Sequence, residues 1–184
     1  MTNEMPLRAD AQRNRDRILT AAEEVFVEKG AKVSLDEVAK RAGVGIGTLY
    51  RRFPTREDLL AAAYSSRFLK FSENSRIRAT ELDPLNALRT YLEELVEYAN
   101  MYRGFAASLG IVLQIGTPGC IATSEEGTRL LENAQNSGVV RPDICFADIV
   151  CVVTAISLAT EQDNSSDGHI TRLIDIFMKG IATG

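Results

Sequence analysis

Histidine, cysteine and tryptophan are scarce in this sequence of 184 residues, which contains one histidine, three cysteines and no tryptophan. The odd number of cysteines and the lack of a C-x-x-C spacing argue against a disulfide framework and a structural zinc site. His169 stands alone at the predicted start of a helix, where it is expected to be a solvated cap residue. The sequence thus predicts no enzyme activity, no metal and no cofactor.

Long apolar runs are also missing. The most apolar stretch, residues 144–159, is interrupted by Asp148, Thr154 and Ser157, and it falls short of the ~20 residues that a membrane helix needs. The beginning of the sequence is polar and has no apolar core of the kind found in signal peptides. We therefore expect a cytoplasmic protein without a membrane partner.

Charge is distributed unevenly along the chain. Residues 1–78 carry 15 Lys and Arg against 11 Asp and Glu, a balance of +4, whereas residues 79–184 carry 6 against 14, a balance of −8. Such asymmetry suggests a module that faces nucleic acid, joined to a module with another task.

Helical periodicity occurs almost everywhere and strand alternation almost nowhere. Apolar residues recur at steps of three and four, and cap signals such as the box from Ser34 to Glu37 separate the segments. The pattern predicts an all-α fold with about nine helices. These cover residues 13–29, 35–42, 44–53, 57–72, 84–102, 105–115, 123–136, 143–160 and 169–181, with a polar loop over 162–168.

The most specific feature is a pair of short helices on either side of Gly43. Two such helices bury little by themselves, so they need the first helix as a third wall. The second of them carries hydroxyl and guanidinium groups that suit contacts with phosphates and with guanine edges in a major groove. These groups belong to Thr48, Tyr50, Arg51 and Arg52. From the spacing alone, a merely solvated surface remains the alternative.

The segment from Arg17 to Leu60 closely resembles the N-terminal helix-turn-helix of the tetracycline-repressor (TetR) family of transcription regulators. The AGV turn, the TLYRRF helix and the start of the next helix at PTRED occur in the same register. The resemblance covers about the first third of the chain. Beyond it, the GVVRPD segment over residues 138–143 looks like the same junction in some members of the family.

The resemblance implies a homodimer whose two recognition helices read a near-palindromic operator in double-stranded DNA. It also implies a C-terminal domain that binds a small-molecule effector and thereby releases the DNA. By position, Thr48 and Tyr50 contact the DNA backbone, and Arg56 stands where the family usually has a phosphate-binding lysine. Arg51 and Arg52 occupy the variable positions of the recognition helix.

Two features adjust this implied DNA interface. The Gly45-Ile46-Gly47 segment departs from the Ser-Lys-Gly or Ser-Arg-Pro frequent in the family, which shifts base readout toward Ile46 against a thymine methyl, Thr48 and Arg51. The arm before the first helix is basic and is expected to add affinity that fades with salt. Its arginines, with those of the first turn, are Arg8, Arg13, Arg15 and Arg17.

Aromatic residues on one face of the helix over 84–102, together with neighbouring segments, form a candidate effector pocket. Its predicted lining is Phe71, Tyr91, Tyr98, Met101, Tyr102, Phe105 and Gln114. Such a pocket is largely apolar and fits a hydrophobic or aromatic small molecule. The alternative is that these residues are plain core.

The penultimate helix is apolar nearly all round and rich in small residues, so one buried face does not account for it. With the last helix it could form half of an intermolecular four-helix bundle across a two-fold axis. The predicted interface residues are Cys151, Ala155, Ile156, Ala159, Ile174 and Phe177. A purely internal core is the alternative.

The sequence therefore divides into a flexible arm over 1–12, a DNA-binding domain over 13–56, and an effector-binding and dimerisation domain over 57–184. We expect a repressor released by its effector, with the helix over 57–72 as the lever between the domains. A DNA-binding protein without effector control is one alternative. An all-helical enzyme or carrier that uses a C-terminal cavity is another.

Overall fold

The structure is a computed structural model that describes residues 4–161 and 168–183, with side chains from Asp10 onward. In these ranges the prediction of an all-α fold is confirmed, and a single antiparallel bridge between Val140 and Ala182 is the only β pairing. The helices are α1 (Glu4–Lys29), α2 (Leu35–Ala42), α3 (Ile46–Arg52), α4 (Arg56–Arg78), α5 (Pro84–Asn100), a 3-10 turn (Ala106–Ser108), α6 (Leu109–Val112), α7 (Pro118–Asn136), α8 (Phe146–Glu161) and α9 (His169–Ile181). Across the described ranges, none of the helices is both long enough and apolar enough to cross a membrane.

Local capping determines how α2 and α3 are arranged. The Ser34 hydroxyl accepts a hydrogen bond from the Asp36 amide at the start of α2, and Gly43 ends that helix in the left-handed conformation, with φ of 64°. The N-cap residue of α3, Gly45, has no side chain that could cap the helix. The fully buried Leu49 anchors α3 to the core. α1 packs against α2 and α4, and its buried stripe consists of Ile18, Ala22, Val25 and Phe26.

α1 and α4 extend well beyond their predicted bounds, and one predicted helix is broken. α1 begins at Glu4, so the predicted arm is helical from that residue on, while residues 1–3 and the side chain of Arg8 lie outside the described part. α4 continues to Arg78. Residues 105–115 form a 3-10 turn followed by the short α6 instead of one helix. The predicted polar loop lies outside the described residues, apart from Gly168.

The predicted start of α7 at Thr123 is wrong. The helix begins at Pro118, and the Thr117 hydroxyl accepts a hydrogen bond from the Cys120 amide. Thr123 lies inside the helix, buried, with its hydroxyl 3.1 Å from that of Ser72 on α4. Both threonines suit a helix start in the sequence, and the packing of α7 along α4 decides between them.

Glycine allows the closest helix contacts of the C-terminal region. A Cβ atom on Gly119 of α7 would lie 2.1 Å from the carbonyl oxygen of Ser65 on α4. A Cβ atom on Gly127 would lie 2.2 Å from the ring of Phe146. Any larger side chain at either position would push α7 away from its neighbours.

A buried carboxylate joins the same two helices. Glu126 of α7 is fully buried and accepts hydrogen bonds from Ser75 at 3.1 Å, Arg76 at 3.1 Å and Arg129 at 2.7 Å. Burial opposes its ionisation, but the hydrogen bonds from Arg129, Arg76 and Ser75 outweigh burial and hold the pKa of Glu126 below its ordinary value. The carboxylate is therefore charged and satisfied at neutral pH.

Candidate DNA-binding surface and effector cavity

α3 carries five of the seven residues predicted to contact DNA and exposes three of them. Tyr50 is 49% exposed, and Arg51 and Arg52 are exposed as well, whereas Ile46 and Thr48 are half-buried. Because residues three and four apart share a helix face, Thr48 lies beside both arginines. This face combines a hydroxyl with guanidinium groups and is narrow enough to enter a major groove.

Of the four arginines predicted to contact DNA, Arg13, Arg52 and Arg56 have partners within the chain. Arg52 donates a hydrogen bond to the carbonyl oxygen of Ala11 on α1 at 3.1 Å, and Arg13 pairs with Asp10 one turn earlier. Arg51 has no hydrogen bond or ion pair with any described residue. Its guanidinium is thus the one on α3 that can turn toward a base edge without losing an internal contact.

Arg56, which the resemblance assigns to a phosphate contact, also has acceptors within the chain. It is half-buried at the start of α4, and its Nη1 donates hydrogen bonds to the carbonyl oxygens of Val33 and, at 2.8 Å, of Ala31. These carbonyls belong to the loop between α1 and α2. Arg56 therefore holds that loop against α4 with the two N–H donors of Nη1.

Ion pairs between α1 and α2 neutralise other cations of this region. Arg41 contacts Glu24 at 3.2 Å and Glu28 at 2.9 Å, and Lys29 pairs with Glu37. The hydrogen bond from Arg41 lowers the pKa of the Glu28 carboxyl group. The surplus of positive charge is consequently carried by arginines outside these pairs, including those of α3.

An aromatic cavity lies between α4, α5 and the segment that follows α5. Its walls are Tyr64, Arg67, Phe68, Tyr98, Tyr102 and Phe105, and its volume of about 10 Å³ has room for roughly one water molecule. The rings of Tyr64 and Tyr102 stack with centroids 4.4 Å apart, and Phe105 meets Tyr64 edge to face at 5.5 Å. The unliganded pocket is therefore closed by its own rings.

Only three of the seven predicted pocket residues, Tyr98, Tyr102 and Phe105, line this cavity. Phe71 and Tyr91 form an adjoining buried cluster, with ring centroids 5.1 Å apart. Met101 is 54% exposed, and Gln114 is exposed as well, so both lie on the surface. Phe71 and Tyr91 are therefore core residues, as the alternative predicted, whereas Met101 and Gln114 are surface residues.

The prediction from sequence missed three cavity residues on α4. Tyr64, Arg67 and Phe68 follow one another at steps of three and one, and Phe71 continues the same buried face. Their spacing on one face of a helix that reaches both regions is the sequence feature that could indicate a cavity wall. The same spacing is typical of a plain core stripe, so the sequence does not distinguish the two.

A backbone contact links the two regions next to this cavity. The Ala31 amide in the loop between α1 and α2 donates a hydrogen bond to the Arg103 carbonyl oxygen at 2.8 Å. A Cβ atom on Gly30 would lie 2.5 Å from the same oxygen, so glycine is needed for the approach. The Gly104 amide in turn bonds to Glu161 at the end of α8. The residue that precedes this contact is Tyr102, a wall of the cavity.

The outer face of α8 and α9 is apolar and uncovered in the described chain. Cys151, Ala155 and Ala159 are exposed as predicted for an interface, and Phe177 is half-buried. Two predicted interface residues lie elsewhere, because Ile174 is fully buried and Ile156 is only 8% exposed. Both pack into the core of their own chain. The exposed Leu158 and Ile176 extend the outer face instead.

Two family models match the chain. The model described as bacterial regulatory proteins, tetR family, matches residues 18–63. The model described as transcriptional regulator SbtR-like, C-terminal domain, matches residues 83–183, which is more than half of the chain.

Individual proteins show the same likeness. An HTH-type transcriptional regulator of Staphylococcus aureus (strain USA300) is 44% identical over 54 residues, and these make up 29% of this chain and 29% of that protein. The crystal structure of a TetR transcriptional regulator from Streptomyces coelicolor is 34% identical, covers 91% of this chain and 98% of its own, and has a TM-score of 0.56. RolR, solved in complex with resorcinol, shares the fold with a TM-score of 0.68 at 22% identity, over 95% of this chain and 90% of its own.

Proposed function

Because the chain belongs to the TetR family of transcriptional regulators, we propose that it is a repressor that binds a near-palindromic operator as a homodimer and leaves it when a small hydrophobic or aromatic effector binds. The observation that carries this proposal is the exposed face of α3. There Thr48, Tyr50 and Arg51 project from a helix that Leu49 anchors to the core. We assign base readout to Arg51 and Ile46, and backbone contacts to Thr48 and Tyr50.

The homodimer is supported by the uncovered apolar face of α8 and α9. A two-fold axis beside these helices would bring two such faces together and bury Ala155, Leu158 and Ile176. Two recognition helices joined in this way would reach successive turns of the duplex, as a near-palindromic operator requires.

Effector control is supported by the position of the aromatic cavity. It lies in the region that matches the C-terminal family model and beside the contact between Ala31 and Arg103. The fold neighbour RolR was solved in complex with resorcinol, a small aromatic compound. We propose two routes from the cavity to the DNA-binding helices, namely α4 itself and the loop that ends in Arg103.

A DNA-binding protein without effector control is the second candidate, since the cavity as it stands holds roughly one water molecule. The two candidates differ in what metabolites do to the complex with DNA.

The deciding experiment begins with DNA fragments selected from a random pool by the full-length protein. Failure to enrich any sequence would contradict both candidates. Low-molecular-weight fractions of a cell extract are then tested for release of the enriched DNA. We expect at least one fraction to release the DNA. If no fraction releases it, the result supports the second candidate, a DNA-binding protein without effector control.

A further inference from the structure

Of the buried polar groups without a partner in the described C-terminal region, those of Tyr64 and Tyr102 belong to residues that line the aromatic cavity. They are 2% and 5% exposed, and neither hydroxyl has a hydrogen-bond partner among the described residues. Both line the cavity. An unpaired buried hydroxyl destabilises a folded protein, because it loses water without gaining a replacement. Two such hydroxyls on residues that line one cavity mark a place where a ligand with acceptor oxygens would gain hydrogen bonds.

The same fold satisfies a third buried tyrosine. Tyr91 is 1% exposed, and its hydroxyl donates a hydrogen bond to the carbonyl oxygen of Thr123 at 2.7 Å. It lies in the neighbouring cluster and does not line the cavity. Unpaired tyrosine hydroxyls are therefore a property of the cavity and not of this core in general.

Arg67 brings a positive charge to the same place. Its guanidinium lies 5.4 Å from the centroid of the Tyr102 ring, and its Nη1 is 3.8 Å from the Met101 sulfur. Arg76 and Arg78 on the same helix pair with the carboxylates of Glu126 and Glu94. Arg67 forms no ion pair with a described residue, so its charge remains available to a ligand.

The protonation of the two tyrosines makes them donors. Burial raises the pKa of both Tyr64 and Tyr102, and Arg67 lowers it less than burial raises it. Glu23 of α1 is the acid whose charge reaches both hydroxyls, and it favours their neutral form as well. Near neutral pH the cavity is thus lined by flat rings, two of which carry a protonated hydroxyl, and by one cation.

We propose that the effector is a small aromatic carboxylate whose ring lies among Tyr98, Phe68 and Phe105 and whose carboxylate is held by Tyr64, Tyr102 and Arg67. The inference rests on the proposed function and adds the chemical class of its effector. A carboxylate accepts several hydrogen bonds and pairs with a guanidinium, which matches this donor set. A flat ring packs well against aromatic walls.

The closed state of the cavity makes such a ligand a switch. A volume of about 10 Å³ has no room for an aromatic ring, so the ligand must displace a wall. Tyr102 directly precedes Arg103, whose carbonyl oxygen accepts the Ala31 hydrogen bond. Displacing Tyr102 would pull on this link to the DNA-binding helices. The ligand then binds the open state better than the closed one, which is what a shift of an equilibrium requires.

The first test is calorimetric titration of the full-length protein with four probes. Benzoate and 2-naphthoate carry both required features, benzyl alcohol lacks the charge, and cyclohexanecarboxylate lacks the flat ring. We expect the two aromatic carboxylates to bind at least about tenfold more tightly than the other two, because each of these lacks one set of contacts.

Three matched substitutions of tyrosine by phenylalanine locate the site. Tyr64→Phe and Tyr102→Phe should each weaken benzoate binding about tenfold without lowering Tm, since the hydroxyls have no partner to lose. Tyr91→Phe should lower Tm and leave benzoate affinity unchanged. Arg67→Met should remove the preference for benzoate over benzyl alcohol.

Three outcomes would overturn the inference. They are tighter binding of benzyl alcohol than of benzoate, benzoate affinity that is the same in Tyr64→Phe and Tyr102→Phe as in the unmodified protein, and no binding of either aromatic carboxylate. DNA binding by the free protein is measured on the same preparations. If it is intact while benzoate fails to bind, only the effector class is wrong, whereas loss of DNA binding in the unmodified protein contradicts the proposed function.

Discussion

The first three helices and the helices that follow them treat polar side chains in opposite ways. In α1 to α3 the charged groups lie outside and pair locally, as Arg41 does with Glu24 and Glu28. All the buried side-chain polar atoms without a partner in the described chain belong to the later helices and the segment after α5. They are Tyr64 Oη, Arg78 Nε, Asn100 Oδ1, Tyr102 Oη, Thr154 Oγ1 and Ser157 Oγ.

The partners proposed for the two regions account for the difference. DNA is large and rigid, so the region that binds it needs a protruding surface with a settled interior. A small effector must be surrounded, so its contacts are interior groups that stay unsatisfied until it arrives. Unpaired polar groups in the interior lower the stability of the fold, but a ligand that pairs with them can favour a different conformation.

The largest effect is expected from a charge on the outer face of α8. Ala155→Glu should yield monomers that fail to bind a full operator, because dimerisation would bury an unpaired carboxylate. Sedimentation measures the mass, and Asn74→Glu on the exposed side of α4 is the control. A soluble Ala155→Glu dimer would move the interface to another surface.

The second-largest effect is expected at Glu126, the buried carboxylate that accepts hydrogen bonds from Ser75, Arg76 and Arg129. Glu126→Gln should lower the free energy of unfolding at neutral pH by about 1.5–3 kcal/mol, since hydrogen bonds to a charged group are lost. The lowered pKa of Glu126 means that its stabilisation is present above the ordinary glutamate value of about 4.3 and is lost as the pH falls through the lowered value.

Urea unfolding at neutral and at acidic pH checks this prediction. Between the two conditions the Gln variant should lose less stability than the unmodified protein. The exposed Glu132→Gln on the same helix should change neither value. An unchanged pH dependence in Glu126→Gln would show that this carboxylate does not stabilise the contact between α4 and α7.

The third prediction addresses the outward-facing region. Arg51→Ala should weaken binding of the selected operator by about 1–3 kcal/mol and relax specificity at one base position, with Tm unchanged. The exposed Lys70→Ala on α4 serves as the control in the same binding assay. Undiminished affinity would remove Arg51 from the readout surface.

The smallest effect is expected from Arg56, where the two regions meet. Arg56→Ala should lower the free energy of unfolding by about 1 kcal/mol, because the carbonyl oxygens of Ala31 and Val33 lose their donor. The slope of DNA affinity against salt should stay the same. A slope reduced by about one would mean that Arg56 binds a phosphate after all.

Short-range features of this fold were predictable from sequence. The caps at Ser34, Thr55 and Asp83 and the left-handed Gly43 each depend on residues within one helical turn. The same holds for α3, whose exposed and buried residues alternate with the helical period. The exposed residues of α3 were predictable for this reason, whereas the internal hydrogen-bond partners of Arg52 and Arg56 were not.

Features that depend on contacts between distant residues were not predictable from sequence. Thr117 and Thr123 look alike as helix starts, and only the packing of α7 on α4 shows that Thr123 is buried. In the sequence, Ile156 cannot be told from an exposed interface residue, because the apolar α8 carries no periodic signal that separates its inner from its outer face. Ile174 is different, because it lies on the buried face of the amphipathic α9.

By itself, the sequence determined the all-α architecture, the helix-turn-helix and the identity of the residues that α3 exposes, since these follow from interactions within a few residues. Tertiary structure alone decided which aromatic residues enclose the cavity, which tyrosine hydroxyls go unpaired, and that Arg103 meets Ala31. Such contacts join residues far apart in the chain, and their geometry depends on how whole helices pack. Local patterns carry no record of that packing.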